Sequence, residues 1–401
     1  MNLKIAYFIP STGISGGIAV VCQHVNRLMK RGHQVYLVSP LRIGYLDWFP
    51  GQKAPIINAD EYPSDMDILV ATGWTTAYDI VHLPAKEKFY FVQSDETRFF
   101  PAGSLEQQLA AVSYLMDFHY LTEARWIQDW LLTHFGHQAD LVPNGLDENL
   151  FHPASPLEPK GEKPRILLEG SIALPYKGME EAFQAVMDLD AEIWCVSSNG
   201  KPKPEWRCDR FFDHVPMSKM KHIYSSCDIL LKLSRVEGFF GPPMEMMACG
   251  GAVVVGKVSG YDEYIVDGHN ALVVDPQDIP AARAAVSRLI NDVPLRKQLI
   301  SNGLQTAADW PWETFIDRLE ACFIRVLDEK KPASIPRQIA NQGLAAAYLN
   351  SLQTAGTAQH KLIEPIDIFF EKIRRIHWIK KSAELSYRFF KSAKSKMNRN
   401  T

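Results

Sequence analysis

The stretch Glu237-Gly-Phe-Phe-Gly-Pro-Pro-Met-Glu245 lies between the apolar run Ile229-Leu-Leu231 and the segment Met244-Glu-Met-Met-Ala248. The first flank reads as a buried strand and the second as a helix. Gly238 and Gly241 let the backbone approach a ligand closely. Pro242 and Pro243 suit the first turn of a helix, where a missing N–H costs nothing. A strand end, a glycine-bearing loop and a helix N-terminus therefore converge, with one carboxylate on each side. In an open α/β sheet, ligands bind just outside the carboxyl ends of the strands. Glu237 is expected to face that crevice from the loop and Glu245 from the first helical turn. Taken alone, Glu245 reads as structural, because a glutamate there favours the helix dipole and caps N–H groups. The pair, with its glycines and prolines and the following Ala248-Cys-Gly-Gly-Ala-Val-Val-Val255, asks for more than that.

The same strand–loop–helix alternation extends in both directions. Lys4–Ile9 reads as a strand, the loop 10–17 leads into an amphipathic helix at 18–31, and Gly32 ends that helix. Strands then fit at 34–38, 68–71, 89–92, 119–122 and 140–142, with helices near 105–116 and 123–135. A polar, proline-rich linker at 154–164 precedes a second series. Its strands fit at 165–168, 192–196, 229–233, 252–255 and 271–274. Its helices fit at 178–188, 218–226, 243–248, 280–291, 295–308 and 312–329. The pattern predicts an α/β protein with two Rossmann-like, doubly wound parallel-sheet domains facing a cleft. The expected division is 1–153 for the first Rossmann-like domain, 165–330 for the second, and 331–401 for a helical, basic, amphipathic extension.

Composition is consistent with this plan. A chain of 401 residues exceeds one ordinary core, and 46% hydrophobic with 22% charged residues is typical of a soluble globular protein. The six cysteines form no C-x-x-C pair, so buried free thiols in a reducing compartment are expected. No signal-peptide pattern and no run of transmembrane length is present, which predicts a cytoplasmic protein. The net charge of −3 hides an asymmetry: residues 371–401 hold ten Lys/Arg and two Glu, and the other 370 residues hold 33 basic and 44 acidic groups. An acidic main body argues against nucleic acid as a partner. In the tail, Ile366, Phe369, Phe370, Ile373, Ile376 and Ile379 recur at helical spacing among basic residues. A basic amphipathic helix can lie on an anionic membrane at the inner face of the cell, and it can equally pack on protein.

The paired glutamates and their surroundings resemble the E-x7-E signature of GT4, a large family of retaining glycosyltransferases. The likeness runs through the Gly-Phe-Gly-like loop, the Ala248-Cys-Gly250 turn and the valine-rich strand after it. It covers roughly residues 1–330, most strongly in the second half, and implies the GT-B architecture. Phe240 beside Phe239 departs from the pattern and could reshape the donor pocket. The resemblance implies transfer of a sugar from a nucleotide diphosphate sugar to a glycan or lipid-linked acceptor, with retention and without a metal or other cofactor. The acceptor-side segment Tyr90-Phe-Val-Gln-Ser-Asp-Glu96 looks like a subgroup that includes bacterial cell-surface polysaccharide rhamnosyltransferases.

Specific roles follow from the resemblance. Gly16 and Gly17, at the start of the first helix, match a Gly-Gly loop set against donor phosphate or sugar; a helix N-terminus holds an anion well. Gly170, Ser171, Lys177 and Gly178 match a second phosphate-binding stretch, in which Ser171 stands where arginine is common. Lys177 then carries the diphosphate charge largely alone. Ser197 ends a strand near the nucleoside, and Val215 lies in the turn expected to read the base edge through its backbone. Glu245 is expected to accept from the ribose hydroxyls, since a carboxylate offers a diol two acceptor oxygens. Glu237 is expected beside the sugar, with backbone N–H groups of Phe239, Phe240 and Gly241 holding sugar or phosphate. On the acceptor side, many relatives carry a histidine where this chain has Gln93, Ser94 and Asp95. Asp95 or Glu96 could assist the acceptor hydroxyl, and either could instead cap the next turn. Two other readings remain open at this level: a GT-B-fold sugar-nucleotide epimerase, and a degenerate transferase serving as an assembly scaffold.

Overall fold

The computed structural model describes residues 2–40, 46–329 and 335–359. In the first half, β1 (Lys4–Phe8), β2 (Gln34–Ser39), β3 (Ile56–Asn58), β4 (Ile68–Ala71), β5 (Glu87–Val92), β6 (His119–Thr122) and β7 (Ala139–Leu141) form one sheet. Its order is β3-β2-β1-β4-β5-β6-β7, with every pair parallel. Helices α1 (Gly16–Lys30), α2 (Trp74–Asp79), α3 (Leu105–Ser113) and α4 (Arg125–Phe135) supply the crossovers. In the second half, β8 (Arg165–Glu169), β9 (Glu192–Ser197), β10 (Arg210–Asp213), β11 (Ile229–Lys232), β12 (Ala252–Gly256) and β13 (Leu272–Val274) form a second parallel sheet. Its order is β10-β9-β8-β11-β12-β13. Helices α5 (Met179–Val186), α6 (Met217–Ser226), α7 (Gly241–Ala248), α8 (Ile279–Asn291) and α9 (Val293–Ala308) cover it. The central strands are largely apolar because a parallel sheet is buried on both faces. Ile68–Ala71 and Ala252–Gly256 are buried at every position. Two Rossmann-like sheets in one GT-B fold match the architecture read from the sequence. The extra pieces are β3, β10 and α2: two edge strands and a helix of six residues, too short for a periodic signal.

Each sheet reverses its winding at one place. In the first, the chain steps outward from β1 to β3 and then returns to the other side of β1 with β4. In the second, the same reversal falls between β8 and β11. These are the switch points where a crevice opens beyond the strand ends. The chain beyond β1, β8 and β11 brings Gly16–Gly17 at the head of α1, Gly170–Ser171, and Glu237–Gly241 up to the head of α7, respectively.

Helix α10 (Trp312–Asp328) follows the second sheet in sequence yet completes the core of the first. Its Trp312, Phe315, Ile316, Leu319, Phe323 and Val326 are buried with Ile5, Tyr7, Leu37, Phe89 and Phe91. Arg31 adds ion pairs to Glu313, Asp317 and Glu320 along the same helix. Gly145 packs so closely on Trp312 that a Cβ there would lie 2.4 Å from the Trp312 Cα. The described residues up to Leu344 form one compact unit, and those from Ala345 onward belong to a second. Helix α11 (Ile335–Gln359) begins in the first unit, where Asn341 exchanges hydrogen bonds with the Asp117 backbone. The basic apolar stripe from Ile366 onward lies outside the described residues. Among the described residues, no helix is long and apolar enough to cross a membrane.

Candidate active site at the switch points

The second-domain half of the site is built on charge. Lys177 ends the short turn Pro175–Lys177, and Gly178 follows with φ 64°. A Cβ at Gly178 would lie 2.0 Å from the Leu233 carbonyl oxygen, so glycine is required for this approach. The approach brings the turn against the loop after β11. There the Lys177 ammonium donates to both Glu237 oxygens at 2.9 Å. Glu237 is only 11% exposed. A second cation lies beneath. Lys232, at the end of β11 and 3% exposed, donates to the Glu169 carboxylate at 2.5 Å and to the Glu169 carbonyl at 3.0 Å. Its Nζ is 3.9 Å from Glu237. Burial pushes Glu237 up, but Lys177 and Lys232 more than reverse this and hold it below the usual carboxylate range.

Glu245, in α7, behaves oppositely. The buried Tyr224 hydroxyl donates to its Oε2 at 2.9 Å. Burial, with the Glu169 charge adding, raises Glu245 to about 7 in spite of Tyr224 and Lys232. Two carboxylates eight positions apart thus sit in opposite protonation regimes, one paired with cations and the other held close to neutrality. Ser197, fully buried, takes the Ile172 and Asn199 N–H groups at 3.2 Å and donates to the Asn199 carbonyl. It stiffens the Gly170–Ser171 loop from below. The Ser171 hydroxyl reaches the Asn199 carbonyl only at 3.5 Å. Val215 is half-buried in the turn between β10 and α6, after His214 at φ 50°.

Phe240 corrects the sequence reading. Its ring is fully buried in the core of the second domain, beneath the loop rather than lining the cleft. It therefore shapes the cleft only through its backbone. Phe239 is partly buried against Tyr264 and Trp310. Two of the three loop N–H groups expected to hold sugar or phosphate already have partners. Gly241 N–H donates to the Phe239 carbonyl at 3.0 Å, and Phe239 N–H donates to Glu123 at 2.8 Å.

On the first-domain side, Gly16 and Gly17 open α1, and Gly17 lies against the Gln93 amide. Gln93 donates to the Thr72 carbonyl at 3.1 Å, while its buried Oε1 has no partner among the described residues. Asp95 caps the turn Glu96–Phe99, accepting from Thr97 N–H at 3.1 Å and from its hydroxyl at 2.5 Å. Glu96 is turned inward, taking Trp74 N–H at 2.7 Å and the Tyr90 hydroxyl at 3.3 Å. Burial raises it to about 7. The structure thus engages both acidic residues in the local framework. Sequence reasoning missed Lys232, Tyr224 and Glu123. The first had a signal: a lysine inside the apolar run 229–233 must be paired if that run is a buried strand.

Residues 210–306 match the family model described as Glycosyl transferases group 1. The chain is 25% identical over 262 residues to the O-antigen biosynthesis protein RfbC of Myxococcus xanthus, covering 63% of this chain and 20% of that protein. It is 26% identical over 281 residues to a D-inositol 3-phosphate glycosyltransferase of Stackebrandtia nassauensis, covering 63% of each. The matches thus span between a fifth and rather under two thirds of those relatives' lengths. In fold it resembles the sucrose-phosphate synthase of Thermosynechococcus elongatus, with a TM-score of 0.69 at 15% identity over 82% of this chain and all of the other. Anabaena Alr3699/HepE, solved in complex with UDP-glucose, gives a TM-score of 0.66 at 14% identity over 81% of this chain and all of the other. Residues 210–306, which carry Glu237, Glu245, Lys232 and Tyr224, are a group 1 glycosyl transferase domain set in a GT-B fold.

Proposed function

We propose that the chain is a glycosyltransferase of bacterial cell-surface polysaccharide synthesis. It takes a sugar from a nucleotide diphosphate donor, without a metal, and passes it with retention to a glycan or lipid-linked acceptor. The observation that carries this reading is the Lys177–Glu237 pair at the β8/β11 switch point, with Glu237 inside the group 1 glycosyl transferase match. Relatives named for O-antigen biosynthesis and as O-antigen chain mannosyltransferase B support the polysaccharide assignment.

In the reaction the bond from the anomeric carbon to the diphosphate oxygen breaks, and one to the acceptor oxygen forms as the acceptor hydroxyl passes its proton to the departing diphosphate. Negative charge grows on the departing diphosphate, so a preorganised cation beside it lowers the barrier. Lys177 is the available cation. Its ammonium has three donors and can turn towards phosphate while Lys232 keeps Glu237 ionised from below. Glu237, ionised and fixed, then serves as acceptor for sugar hydroxyls. Glu245 accepts from the ribose, and Gly16–Gly17 at the head of α1 approach the phosphate or sugar from the opposite domain. The basic tail holds the enzyme at an anionic membrane, where lipid-linked acceptors lie. Donor hydrolysis and transfer assays on Lys177→Ala and Glu237→Ala test the central claim; wild-type rates in both variants would overturn it. Sedimentation with anionic vesicles tests the tail, with loss of binding expected on removing residues 364–401.

A further inference from the structure

We propose that Glu123 is the positioning residue through which the first domain sets the donor loop, by holding the Phe239 N–H across the cleft. This rests on the reading of 237–241 as a donor loop. Glu123 is the first residue after β6, at the carboxyl edge of the first sheet, and is 5% exposed. Both of its oxygens are committed: Oε1 takes Phe239 N–H at 2.8 Å and Oε2 takes the Asn144 amide at 2.8 Å. Two further contacts meet the same dipeptide. The Trp126 indole N–H donates to the Gly238 carbonyl at 2.9 Å. Gly238 lies so near Gln93 that a Cβ would come within 1.7 Å of its carbonyl oxygen. Segments after β5, after β6 and in α4 of one domain therefore converge on residues 238–239 of the other. Glu237 is the next residue along.

The surroundings are polar and incompletely paired. Gln93 Oε1, Thr122 Oγ1 and Asn144 Oδ1 are buried without partners among the described residues. Buried unpaired polar atoms are costly and gather at functional sites. Burial, with the charge of Glu237 adding, raises Glu123 to about 8. A glutamine can reproduce the arrangement. Its carbonyl would take Phe239 N–H, and its amide would donate to Asn144 Oδ1 once the Asn144 amide turns over.

The test compares Glu123→Ala and Glu123→Gln with the wild-type full chain by two independent readouts. The first is amide hydrogen exchange over residues 237–241. Loss of the acceptor should speed exchange about tenfold in the alanine variant, the equivalent of one hydrogen bond, and leave the glutamine variant protected. The second is steady-state turnover with a nucleotide sugar. A displaced loop should lower kcat by up to about a hundredfold in the alanine variant. Affinity for the free nucleotide, which also rests on Glu245 and the Val215 turn away from residues 238–239, should fall much less than kcat, and the glutamine variant should recover most of the rate. Equal exchange in all three proteins would overturn the proposal, as would an equal loss of kcat in both variants. If the wild type turns over no nucleotide sugar, the transferase reading falls, and exchange alone decides whether Glu123 holds the loop.

Discussion

The Lys177 ammonium lies 2.9 Å from both carboxylate oxygens of Glu237, and Lys232 stands 3.9 Å behind the same carboxylate. The two lysines are not equivalent. Lys177 is 22% exposed and faces the cleft, whereas Lys232 is 3% exposed and also neutralises Glu169.

Removing each lysine should therefore separate catalysis from stability. Lys232→Met leaves Glu169 without its cation and should cost about 3–5 kcal/mol in denaturant unfolding, the usual result of stripping one partner from a buried pair. Lys177→Met should cost less, about 1–2 kcal/mol, because Lys232 still backs Glu237. It should lower transfer by roughly a hundredfold to a thousandfold, as expected when the group facing the developing charge is lost. The pH dependence has a defined sign. Glu237 is depressed in the fold, so its contribution is present above its unfolded value of 4.5 and is lost as pH falls through the lower folded value. In Lys177→Met the folded value moves up towards 4.5, so this acid-dependent loss should be smaller than in the wild type.

Donor binding should report the state of Glu245. Its carboxyl, raised to about 7, faces Tyr224, Glu169 and Lys232, and it must be ionised to accept from both ribose hydroxyls. Binding of a nucleotide sugar, whose phosphates are both esterified, should tighten by up to tenfold per pH unit below about 7 and level off above it. Calorimetry in two buffers should show proton release at pH 6.5. Glu245→Gln should abolish that release.

Two glycines with left-handed backbones make a controlled pair. Gly178 (φ 64°) has the Leu233 carbonyl where a Cβ would go, while Gly32 (φ 94°) has open space around it. Gly32→Ala should cost about 1 kcal/mol, the backbone strain alone, with activity intact. Gly178→Ala adds a steric clash, should cost about 2–4 kcal/mol, and should move Lys177 off Glu237 and remove activity. Urea unfolding and the transfer assay together distinguish the two.

The docking of α10 should depend on burial more than on charge. Phe323 is fully buried with its ring 5.0 Å from that of Phe89, so Phe323→Ala should cost about 3–5 kcal/mol. Arg31→Ala breaks three ion pairs, yet Glu313 and Asp317 are mostly exposed and the loss should be about 1 kcal/mol or less. Thermal unfolding of the two variants measures the contrast.

The sequence made some features readable and hid others for physical reasons. Long apolar runs such as Ile68–Ala71 and Ala252–Gly256 declared the central strands, and the Gly-Pro-Pro sequence declared the head of α7. The edge strands Ile56–Asn58 and Arg210–Asp213 are half-buried and short, and so carry no clear pattern. Glu237 and Lys177 could be singled out because each lies in a locally diagnostic segment. The Glu123–Phe239 bond could not, since it joins residues 116 positions apart and exists only once two domains face each other. Phe240 was misread for a related reason. Loop residues alternate between cleft and core according to backbone geometry that composition does not encode.

The return of Trp312–Asp328 to the first core bears on how the chain is made. Synthesis proceeds from the N-terminus, so the first sheet emerges with one face still lacking Phe315, Leu319 and Phe323. That face stays only partly covered, by α1, until the entire second domain has been translated. A nascent chain stopped before residue 312 would lack the partner of Phe89 and present that part of the core to solvent and chaperones, and truncated transcripts should yield aggregation-prone fragments.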